Sequence, residues 1–506
     1  MSGSGIQPVA CYVEPARNRS RHACSAACWK ARTDVLLSVC KERTLRVTQY
    51  DEYYHSSYPM QTLAGDIRMT TSTPHDDADS AAGQPAPTGN RREFLQRTGS
   101  SVAAMIVAGA SGNAFSQTTT PGTPNSVKLS LIQDPNTEQA ENTPDPNAEP
   151  DQRIGYAIVG LGRLSLNQIL PALTASKYSR VVALVSGDPD KAKKIARQYG
   201  VRENAIYDYR HFERLADNRE VQVVYIVLPN GMHAEYTKRA AAIGKHVLCE
   251  KPMAVSSAEC QQMIDACKKA QRLLMIAYRS QYEPMDRMIA KWVKDKQLGS
   301  LREFIAGNSQ NVGDPEQWRL KRALAGGGPL PDVGIYCLNA ARFLSGEEPF
   351  EVVATTWQPA DDPRFREVEQ SVHFVLRFPS GMTATCMASY ASHESRFFRL
   401  QGAQGWAEMN PAFSYNGLQL RKGQLIEGKN AVTQIGIDPV DQFAREIDHM
   451  SLCVVRGQTP HTPGEEGLQD QRIVEAIYES ARTGRAVQIA PPAQPTRGPD
   501  LDDENF

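Results

Sequence analysis

The stretch that decides the fold is residues 154–173, which read IGYAIVGLGRLSLNQILPAL. Its first six residues form an apolar run typical of a buried parallel strand, and a helical run of apolar residues follows the glycine turn. Gly160 permits a tight turn, and Gly162 lets the backbone approach a pyrophosphate at the helix N-terminus. Although Ser165 replaces the usual third Gly or Ala, the order of strand, glycine turn and helix predicts a dinucleotide-binding domain.

The same alternation continues to residue 278. Strands are predicted at 181–185, 221–228, 246–249 and 273–277, with helices at 189–199, 233–243 and 257–270. Repeated units of this kind predict a doubly wound parallel sheet over residues 151–278, a Rossmann domain. Ligands of such sheets bind at the carboxyl ends of the strands. Those ends carry Gly160, Ser186, residues 229–230, residues 250–252 and residues 278–279.

The end of the second strand favours NADP over NAD. In NAD-selective enzymes an acidic residue here accepts hydrogen bonds from the ribose 2′-hydroxyl, but this chain has Ser186 and Gly187, with Lys191 nearby. A hydroxyl and a cation suit a 2′-phosphate, and we assign Asp188 to capping the next helix. The predicted cofactor-binding residues are Gly160, Leu161, Gly162, Arg163, Leu164, Ser186, Gly187, Lys191, Tyr209, Leu228, Asn230, His233, Glu250, Lys251 and Arg279.

Residues 279–490 are predicted to form a second α/β domain. Residues 371–378 alternate apolar and polar side chains before a turn, and further strands are expected at 382–389, 397–401 and 406–409. This pattern predicts a large, mostly antiparallel open sheet with one covered face, flanked by helices at 441–455 and 468–483. An uncovered face would favour a homo-oligomer. Residues 491–506 form a polar tail.

Three residues carry the candidate chemistry. Lys251 follows a buried strand and either projects into the cleft near the nicotinamide or ends the strand at the surface. Asp332 and Tyr336 are four residues apart and share a helix face after the glycines at 326–328. A free tyrosine has a pKa of ~10, and the Lys251 ammonium would favour its phenolate form. The alternatives are a helix cap for Asp332 and a core position for Tyr336.

A sugar pocket is predicted around Tyr282, Trp318 and Arg319, together with Arg279. Aromatic faces stack on sugar C–H groups and Arg donates to hydroxyls, although ordinary packing would also explain these residues. The histidines at 373, 449 and 461 lie apart in the sequence without partners at ligand spacing, so no metal is predicted.

The first 150 residues are unlike the rest. Residues 1–89 lack a core pattern and are interpreted as disordered or as upstream, non-coding-like sequence; reading His22, Cys24 and Cys28 as metal ligands would require a second ligand pair. Residues 90–117 contain Arg91 and Arg92, Phe-Leu and a short apolar run, which resembles a twin-arginine signal peptide and predicts periplasmic export. Residues 118–150 form a Pro-rich linker or an arm on a neighbouring subunit.

Composition excludes several classes of partner. The chain has 506 residues, with 56 Lys+Arg against 57 Asp+Glu and a net charge of -1, so it has no electrostatic footprint for nucleic acid. No apolar run reaches the ~20 residues that span a bilayer, so stable membrane insertion is not expected. Ten cysteines in a chain of this length do not form a disulfide framework.

The motifs together resemble the glucose–fructose oxidoreductase/inositol dehydrogenase family over residues 151–490. They are GLG at 160–162, EKPM at 250–253 and GGGPLPDVGIY at 326–336. Tyr336 stands where many relatives have His, and a tyrosine at this position resembles the glucose–fructose oxidoreductase branch. The segments QWRL at 317–320 and PGEEG at 463–467 also resemble that branch. The resemblance implies Lys251, Asp332 and Tyr336 as the catalytic residues and subunit contact through the open sheet.

The resemblance also implies a reaction. An NADP-dependent sugar oxidoreductase would oxidise an aldose to its lactone and reduce a second sugar to a polyol, with the cofactor tightly held, as a dimer or tetramer. The alternatives are an aldose dehydrogenase that releases its cofactor each turn and a non-catalytic dinucleotide-binding sensor. Joint retention of the three residues argues against a sensor. Pocket shape, which the sequence does not give, decides the sugars.

Overall fold

The computed structural model describes residues 153–500, and the structural statements below concern that part of the chain. The predictions for residues 1–89, 90–117 and 118–150 lie outside the described residues, as does the end of the polar tail. Within residues 153–500, no helix is long and apolar enough to cross a membrane.

The first sheet has six parallel strands in the order β3-β2-β1-β4-β5-β6. Its strands are β1 (Ile154–Val159), β2 (Ser179–Val185), β3 (Ile206–Tyr207), β4 (Val223–Ile226), β5 (His246–Glu250) and β6 (Leu274–Ala277). The chain changes direction across the sheet between β1 and β4, so a crevice forms beyond the carboxyl end of β1. The predicted doubly wound sheet is confirmed.

Four helices follow strands of this sheet. They are α1 (Leu170–Ala175), which continues a π-helical turn at Ser165–Ile169, α2 (Pro189–Gln198), α3 (His233–Ala242) and α4 (Ser257–Ala270). Asp188 caps α2, because its carboxylate accepts a hydrogen bond from the Lys191 amide at 2.9 Å. This is the role assigned to Asp188 from the sequence.

The second sheet has nine strands in the order β14-β13-β12-β11-β7-β10-β9-β8-β15. They are β7 (Leu301–Asn311), β8 (Glu351–Trp357), β9 (Ser371–Arg377), β10 (Thr383–Ser389), β11 (Ala391–Gly402), β12 (Gly405–Met409), β13 (Leu420–Ile426), β14 (Lys429–Ile435) and β15 (Val487–Gln488). Only the central pair β7 and β10 is parallel among these strands. The predicted mostly antiparallel sheet is therefore confirmed.

Helices cover one face of the second sheet. The second half contains α5 (Pro284–Lys294), α6 (Arg322–Ala325), α7 (Ile335–Ser345), α8 (Gln442–Arg456) and α9 (Gly464–Thr483), and a π-helical turn at Leu330–Gly334 leads into α7. Helices α7 and α9 pack on the sheet. In β8, Val352 is 0% exposed and Val353 is 47% exposed, which is the alternation expected of a sheet with one covered face.

Helix α8 belongs to the first core, although the sequence analysis grouped it with the second domain. Its apolar face packs among residues of the parallel sheet. The Asp448 carboxylate on α8 accepts hydrogen bonds from the Ser176 hydroxyl and from the amides of Lys177 and Tyr178, at 3.0 and 2.9 Å for the amides. Apolar periodicity predicts a helix but does not specify the surface on which it packs, which explains the difference.

Replacing Asp448 tests this attachment. We expect Asp448→Ala to lower the free energy of unfolding by about 2 kcal/mol, because it leaves buried donors without an acceptor. Asp295→Ala is the matched control, since Asp295 pairs with Lys291 at an exposed site and its removal should cost less than about 0.5 kcal/mol. Urea denaturation of both variants measures the difference, and equal values would contradict the role given to Asp448.

Candidate active site

The carboxyl ends of the parallel strands open into a cleft of about 570 Å³, closed on its other side by the second sheet and the turn before α7. This volume is in the range of small-molecule sites. The sequence-predicted residues that line it are Gly160, Leu161, Gly162, Arg163, Leu164, Ser186, Gly187, Lys191, Tyr209, Leu228, Asn230, Glu250, Lys251, Arg279, Trp318, Arg319, Asp332 and Tyr336.

The glycine turn has the geometry of a phosphate cradle. Gly160 has φ +98°, and a Cβ there would collide with the Val227 carbonyl, so only glycine fits. A Cβ at Gly162 would meet no atom within 4 Å, so this backbone faces open space. The Ser165 hydroxyl donates to the Gly160 carbonyl at 2.6 Å, which shows that the unusual serine closes the turn. These features fit a bound pyrophosphate.

The residues predicted to hold a 2′-phosphate lie together at one end of the cleft. The Ser186 hydroxyl accepts from the Asp188 amide at 3.1 Å, and the Lys191 ammonium lies 3.4 Å from the Leu161 carbonyl, to which it donates. Tyr209 forms the adjacent wall, because its ring would lie 3.2 Å from a Cβ at Gly187. A cation and a hydroxyl therefore lie beside the turn, and Asp188, which caps α2, also lines this end of the cleft.

Lys251, Asp332 and Tyr336 converge at the other end. The Lys251 ammonium donates to the Asp332 carbonyl at 2.7 Å and lies 3.7 Å from its carboxylate. The same ammonium is 4.4 Å from the centroid of the Tyr336 ring. The Asp332 carboxylate also accepts from Arg319 Nε at 3.0 Å and from the Tyr390 hydroxyl at 2.7 Å. Asp332 therefore joins the lysine to two further groups.

Asp332 stays ionised at neutral pH. Burial alone would raise its pKa, but the charges of Arg319 and Lys251 and the hydrogen bond from Tyr390 lower the pKa to about 2. Because the folded-state pKa lies below the ordinary value, the stabilisation from these contacts is fully present above that ordinary value. It is lost only as the pH falls towards 2. Loss of activity in moderately acidic solution would therefore come from another group.

Arg279 contacts the phenol oxygen of Tyr336. Its Nε donates to that oxygen at 3.2 Å, and its guanidinium carbon lies 4.8 Å from the ring centroid. The other guanidinium nitrogens donate to the carbonyls of Phe413 and Ser414 and to the side chain of Gln442. We predicted a cofactor contact for Arg279 and placed Lys251 beside the phenol, but Lys251 lies over the ring. Arg279 is the cation at the oxygen.

Two predicted site residues lie outside the cleft. Tyr282 is 0% exposed, and its hydroxyl bonds to Thr462 at 2.9 Å, so its prediction as a sugar contact is wrong. It shares a short turn with Arg279, but its ring points into the core. His233 is also buried, and its ring nitrogens lie 2.9 and 2.8 Å from the carbonyls of Pro252 and Leu228. It holds two strand-end loops together instead of lining the cofactor site.

Sequence reasoning missed the groups that support the second motif. Tyr390, which holds Asp332, follows β10 and carries no local motif. Glu369 accepts from the Gly328 amide at 3.0 Å and from the Tyr478 hydroxyl at 2.7 Å. A Cβ at Gly327 would collide with that hydroxyl, which explains why the sequence needs glycine there. The glycine run therefore approaches neighbouring groups closely, and those groups come from distant segments of the chain.

Metal-ligating groups do not cluster in residues 153–500: no set of three His, Cys, Asp or Glu side chains is placed to hold an ion. His449 and His461, which are 12 residues apart in the sequence, are neighbours in the structure. The His461 amide donates to His449 Nε2 at 2.8 Å, so that ring nitrogen is occupied by a backbone contact.

Two family models match the chain. An oxidoreductase family with an NAD-binding Rossmann fold matches residues 154–278, and the C-terminal domain of the Gfo/Idh/MocA family matches residues 287–408. The chain belongs to the Gfo/Idh/MocA oxidoreductase family. The resemblance to glucose–fructose oxidoreductase and inositol dehydrogenase, from which this family takes its name, is thereby confirmed, as is the prediction of an oxidoreductase.

Several characterised proteins are similar over nearly their whole length. D-xylose 1-dehydrogenase (NADP(+)) of Haloarcula marismortui is 31% identical over 348 residues, covering 67% of this chain and 94% of that protein. A second such enzyme, from Haloferax volcanii, is 33% identical, with 66% and 99% covered. The solved structure of aldose-aldose oxidoreductase from Caulobacter crescentus, complexed with glycerol, is 46% identical with a TM-score of 0.64, covering 67% of this chain and 100% of that one.

The two glycines of the turn give a paired test. Gly160→Ala should lower the free energy of unfolding by about 2 kcal/mol, because it forces a left-handed backbone and a collision. Gly162→Ala should change it by less than about 0.5 kcal/mol. Because its methyl group enters the open cleft, Gly162→Ala should nevertheless weaken NADP binding at least about tenfold, or 1.4 kcal/mol. Urea denaturation measures the stability of each variant, and calorimetric titration measures its affinity for NADP. Unaltered NADP binding by Gly162→Ala would show that the pyrophosphate does not bind at this turn.

Proposed function

We propose that the protein is an NADP-dependent sugar oxidoreductase that keeps its cofactor through two half-reactions. One sugar, an aldose, is oxidised to its lactone, and a second sugar is reduced to a polyol. The observation that carries the proposal is Tyr336, whose phenol faces the cleft with Arg279 at its oxygen and Lys251 over its ring. The names of the similar proteins, which include aldose-aldose oxidoreductase and NADP(+)-dependent xylose dehydrogenases, support the same chemistry.

Different residues of the chain would bind different parts of NADP and the sugar. The turn at Gly160 and Gly162 would hold the pyrophosphate, and Ser186 with Lys191 would hold the 2′-phosphate. Bound NADP supplies the acceptor and donor of hydride. Trp318, which lines the cleft beside Arg319, offers a flat face to a sugar ring.

Proton transfer falls to Tyr336. Its phenolate accepts the proton of the sugar hydroxyl as hydride leaves the same carbon, and its phenol returns a proton when the second sugar's carbonyl is reduced. Arg279 holds the phenol oxygen in place through the hydrogen bond from its Nε at 3.2 Å. Asp332 fixes Lys251 by accepting from it at 2.7 Å, so that the ammonium can also hold the substrate oxygen.

Purified protein provides the first test. We expect nicotinamide absorbance to survive desalting, because the account has the cofactor held between half-reactions. Addition of an aldose alone should reduce the bound cofactor, and a ketose or second aldose should reoxidise it. The absorbance of the reduced nicotinamide measures both steps. Protein that arrives without nucleotide and needs added NADP for each turnover would favour the alternative, an aldose dehydrogenase that releases its cofactor.

Tyr336→Phe tests the proton-transfer residue. We expect turnover to fall by about 10²- to 10⁴-fold with the cofactor still bound, because the phenol is the group that exchanges the proton. Tyr282→Phe is the matched control: its hydroxyl bonds to Thr462 in the core, so it should lose about 1 kcal/mol of stability and keep its turnover. Steady-state rates at saturating sugar measure the turnover of both variants. Full activity of Tyr336→Phe would show that Tyr336 does not transfer the proton.

Lys191→Ala tests the choice of cofactor. The loss of a charge-assisted hydrogen bond to a phosphate costs about 1.5–3 kcal/mol, so NADP affinity should fall about 10- to 100-fold. NAD lacks that phosphate, and its affinity serves as the internal control. Titration of the nucleotide-free protein with each cofactor measures both constants, and an equal loss for NAD and NADP would mean that Lys191 acts through the turn at Leu161.

We also propose a dimer or tetramer that is exported to the periplasm. The outer face of the second sheet supports assembly, because Ile305, Val353 and Trp357 are 43%, 47% and 63% exposed there. The paired arginines and apolar run of residues 90–117 support export by the twin-arginine route, which carries proteins after folding and would suit one that keeps its cofactor.

A further inference from the structure

A pair of acidic residues lies beside the catalytic groups and has no part in the mechanism above. The Tyr225 hydroxyl lies 2.8 Å from Glu250 Oε1 and 3.4 Å from Glu446 Oε1. The three residues come from β4, from the end of β5 and from α8. Tyr225 and Glu446 are 0% exposed, while Glu250 is 7% exposed and lines the cleft. Because one hydroxyl has one proton to donate, Tyr225 cannot satisfy both carboxylates at once.

The environment of Glu446 favours its protonated form unless positive charge is added to the cleft. Its second oxygen, Oε2, is buried and has no hydrogen-bond partner among the described residues. An ionised carboxyl oxygen in that position would cost far more than a protonated one. Burial and the nearby charge of Glu250 raise the pKa of Glu446 well above its ordinary value, and burial also raises the pKa of Glu250. Two buried carboxyls this close favour sharing a proton.

The cations nearest the pair are committed to other partners. Lys251 donates to the Asp332 carbonyl, and Arg279 donates to Tyr336 and to two backbone carbonyls. They oppose protonation of the pair at longer range. The charged and titratable groups that act on the two carboxyls are Lys251, Arg279, Tyr225, Asp441 and Tyr282.

Glu250 stands in the half of the cleft where the nicotinamide is expected. A dinucleotide straddles the crevice beyond β1, and Ser186 with Lys191 occupies the β2 side, so the other nucleotide lies towards β4, β5 and β6. An oxidised nicotinamide carries a positive charge and a reduced one is neutral. A bound oxidised ring therefore adds its positive charge to the cations that oppose protonation of the pair. A bound reduced ring adds no charge.

We propose that Glu250 and Glu446, bridged by Tyr225, store the proton that the first sugar loses until the second sugar takes it; the inference rests on the proposed function. With oxidised cofactor both carboxyls are ionised, and with reduced cofactor they share one proton. Oxidation of the aldose would break its C–H and O–H bonds, with the hydride accepted by bound NADP⁺ and the proton by Tyr336. The proton would then pass to the pair, whose Glu250 lines the same cleft as Tyr336. Reduction of the second sugar returns the hydride to its carbonyl carbon and the proton to its oxygen.

Nucleotide binding tests the store without turnover. Full-length protein freed of nucleotide is titrated with NADP⁺ and with NADPH in weakly buffered solution containing a pH indicator. Both carry the same phosphates, so the difference reports the ring charge. We expect NADP⁺ to release about one proton more than NADPH near neutral pH, and its affinity to rise with pH relative to that of NADPH. Equal proton release for the two would overturn the store.

Glu446→Gln removes the pair without touching the cleft, because Glu446 does not line it. The remaining Glu250 faces Lys251 and Arg279 and has no second carboxyl with which to share a proton, so the difference between NADP⁺ and NADPH should vanish. Asp286→Asn, at a buried carboxyl on α5 that does not line the cleft, is the control and should retain the difference. Should Glu446→Gln fail to fold, Glu250→Gln removes the other member and should abolish the difference as well. A full difference in either folded variant contradicts the proposal.

A half-reaction separates this inference from the proposed function. Protein loaded with NADP⁺ is mixed with an aldose and no acceptor, and reduced nicotinamide and released protons are recorded together. We expect wild type to release much less than one proton per nicotinamide reduced, and Glu446→Gln to release about one. If the aldose does not reduce the bound nicotinamide, the proposed function is wrong. The nucleotide-binding titration then tests the proton store independently. Reduction with one proton released by wild type would defeat the store alone.

Discussion

The contact between Lys251 and Asp332 is the interaction on which the site depends. Lys251 stands at the end of β5 in the parallel sheet, and Asp332 lies in the turn that leads into α7 of the second half. The 2.7 Å hydrogen bond from the ammonium to the Asp332 carbonyl ties these halves together directly over the Tyr336 ring. Without it, only packing around Tyr336 would link the lysine of the first half to the turn of the second half.

The cores on both sides keep that contact in place. Tyr336 packs against the buried residues of both the parallel and the antiparallel sheet, and α8 carries second-half sequence onto the first core. Arg319 and Tyr390 hold the Asp332 carboxylate, while Glu369 holds the glycine turn before it. The proposed catalytic groups are therefore presented by rigid elements, which suits chemistry that requires a proton and a hydride to move at fixed positions.

Local patterns predicted every strand of the parallel sheet except the short β3, but only four of the nine strands of the second sheet, β9 to β12. The strand, turn and helix at 154–173 have a short-range signature, so the fold of the first domain followed from local patterns. The convergence of Lys251, Asp332 and Tyr336 was implied by the family resemblance, because local patterns left their roles open. The prediction that Tyr282 contacts the sugar was wrong because sequence spacing after β6 does not indicate which side chain points into the core. Tyr390 supports Asp332 across 58 residues and Glu446 faces Tyr225 across 221, and a single sequence carries no signal at such separations.

The central claim is that Tyr336, with Arg279 and Lys251, meets the reacting sugar beside the cofactor. The most direct measurement is a crystal structure of the full chain with NADP and an aldose bound. The account predicts the sugar's reactive hydroxyl within hydrogen-bond distance of the Tyr336 phenol, and the pyrophosphate at Gly160 and Gly162. A sugar bound away from that phenol, or a nicotinamide on the β2 side of the cleft, would contradict it.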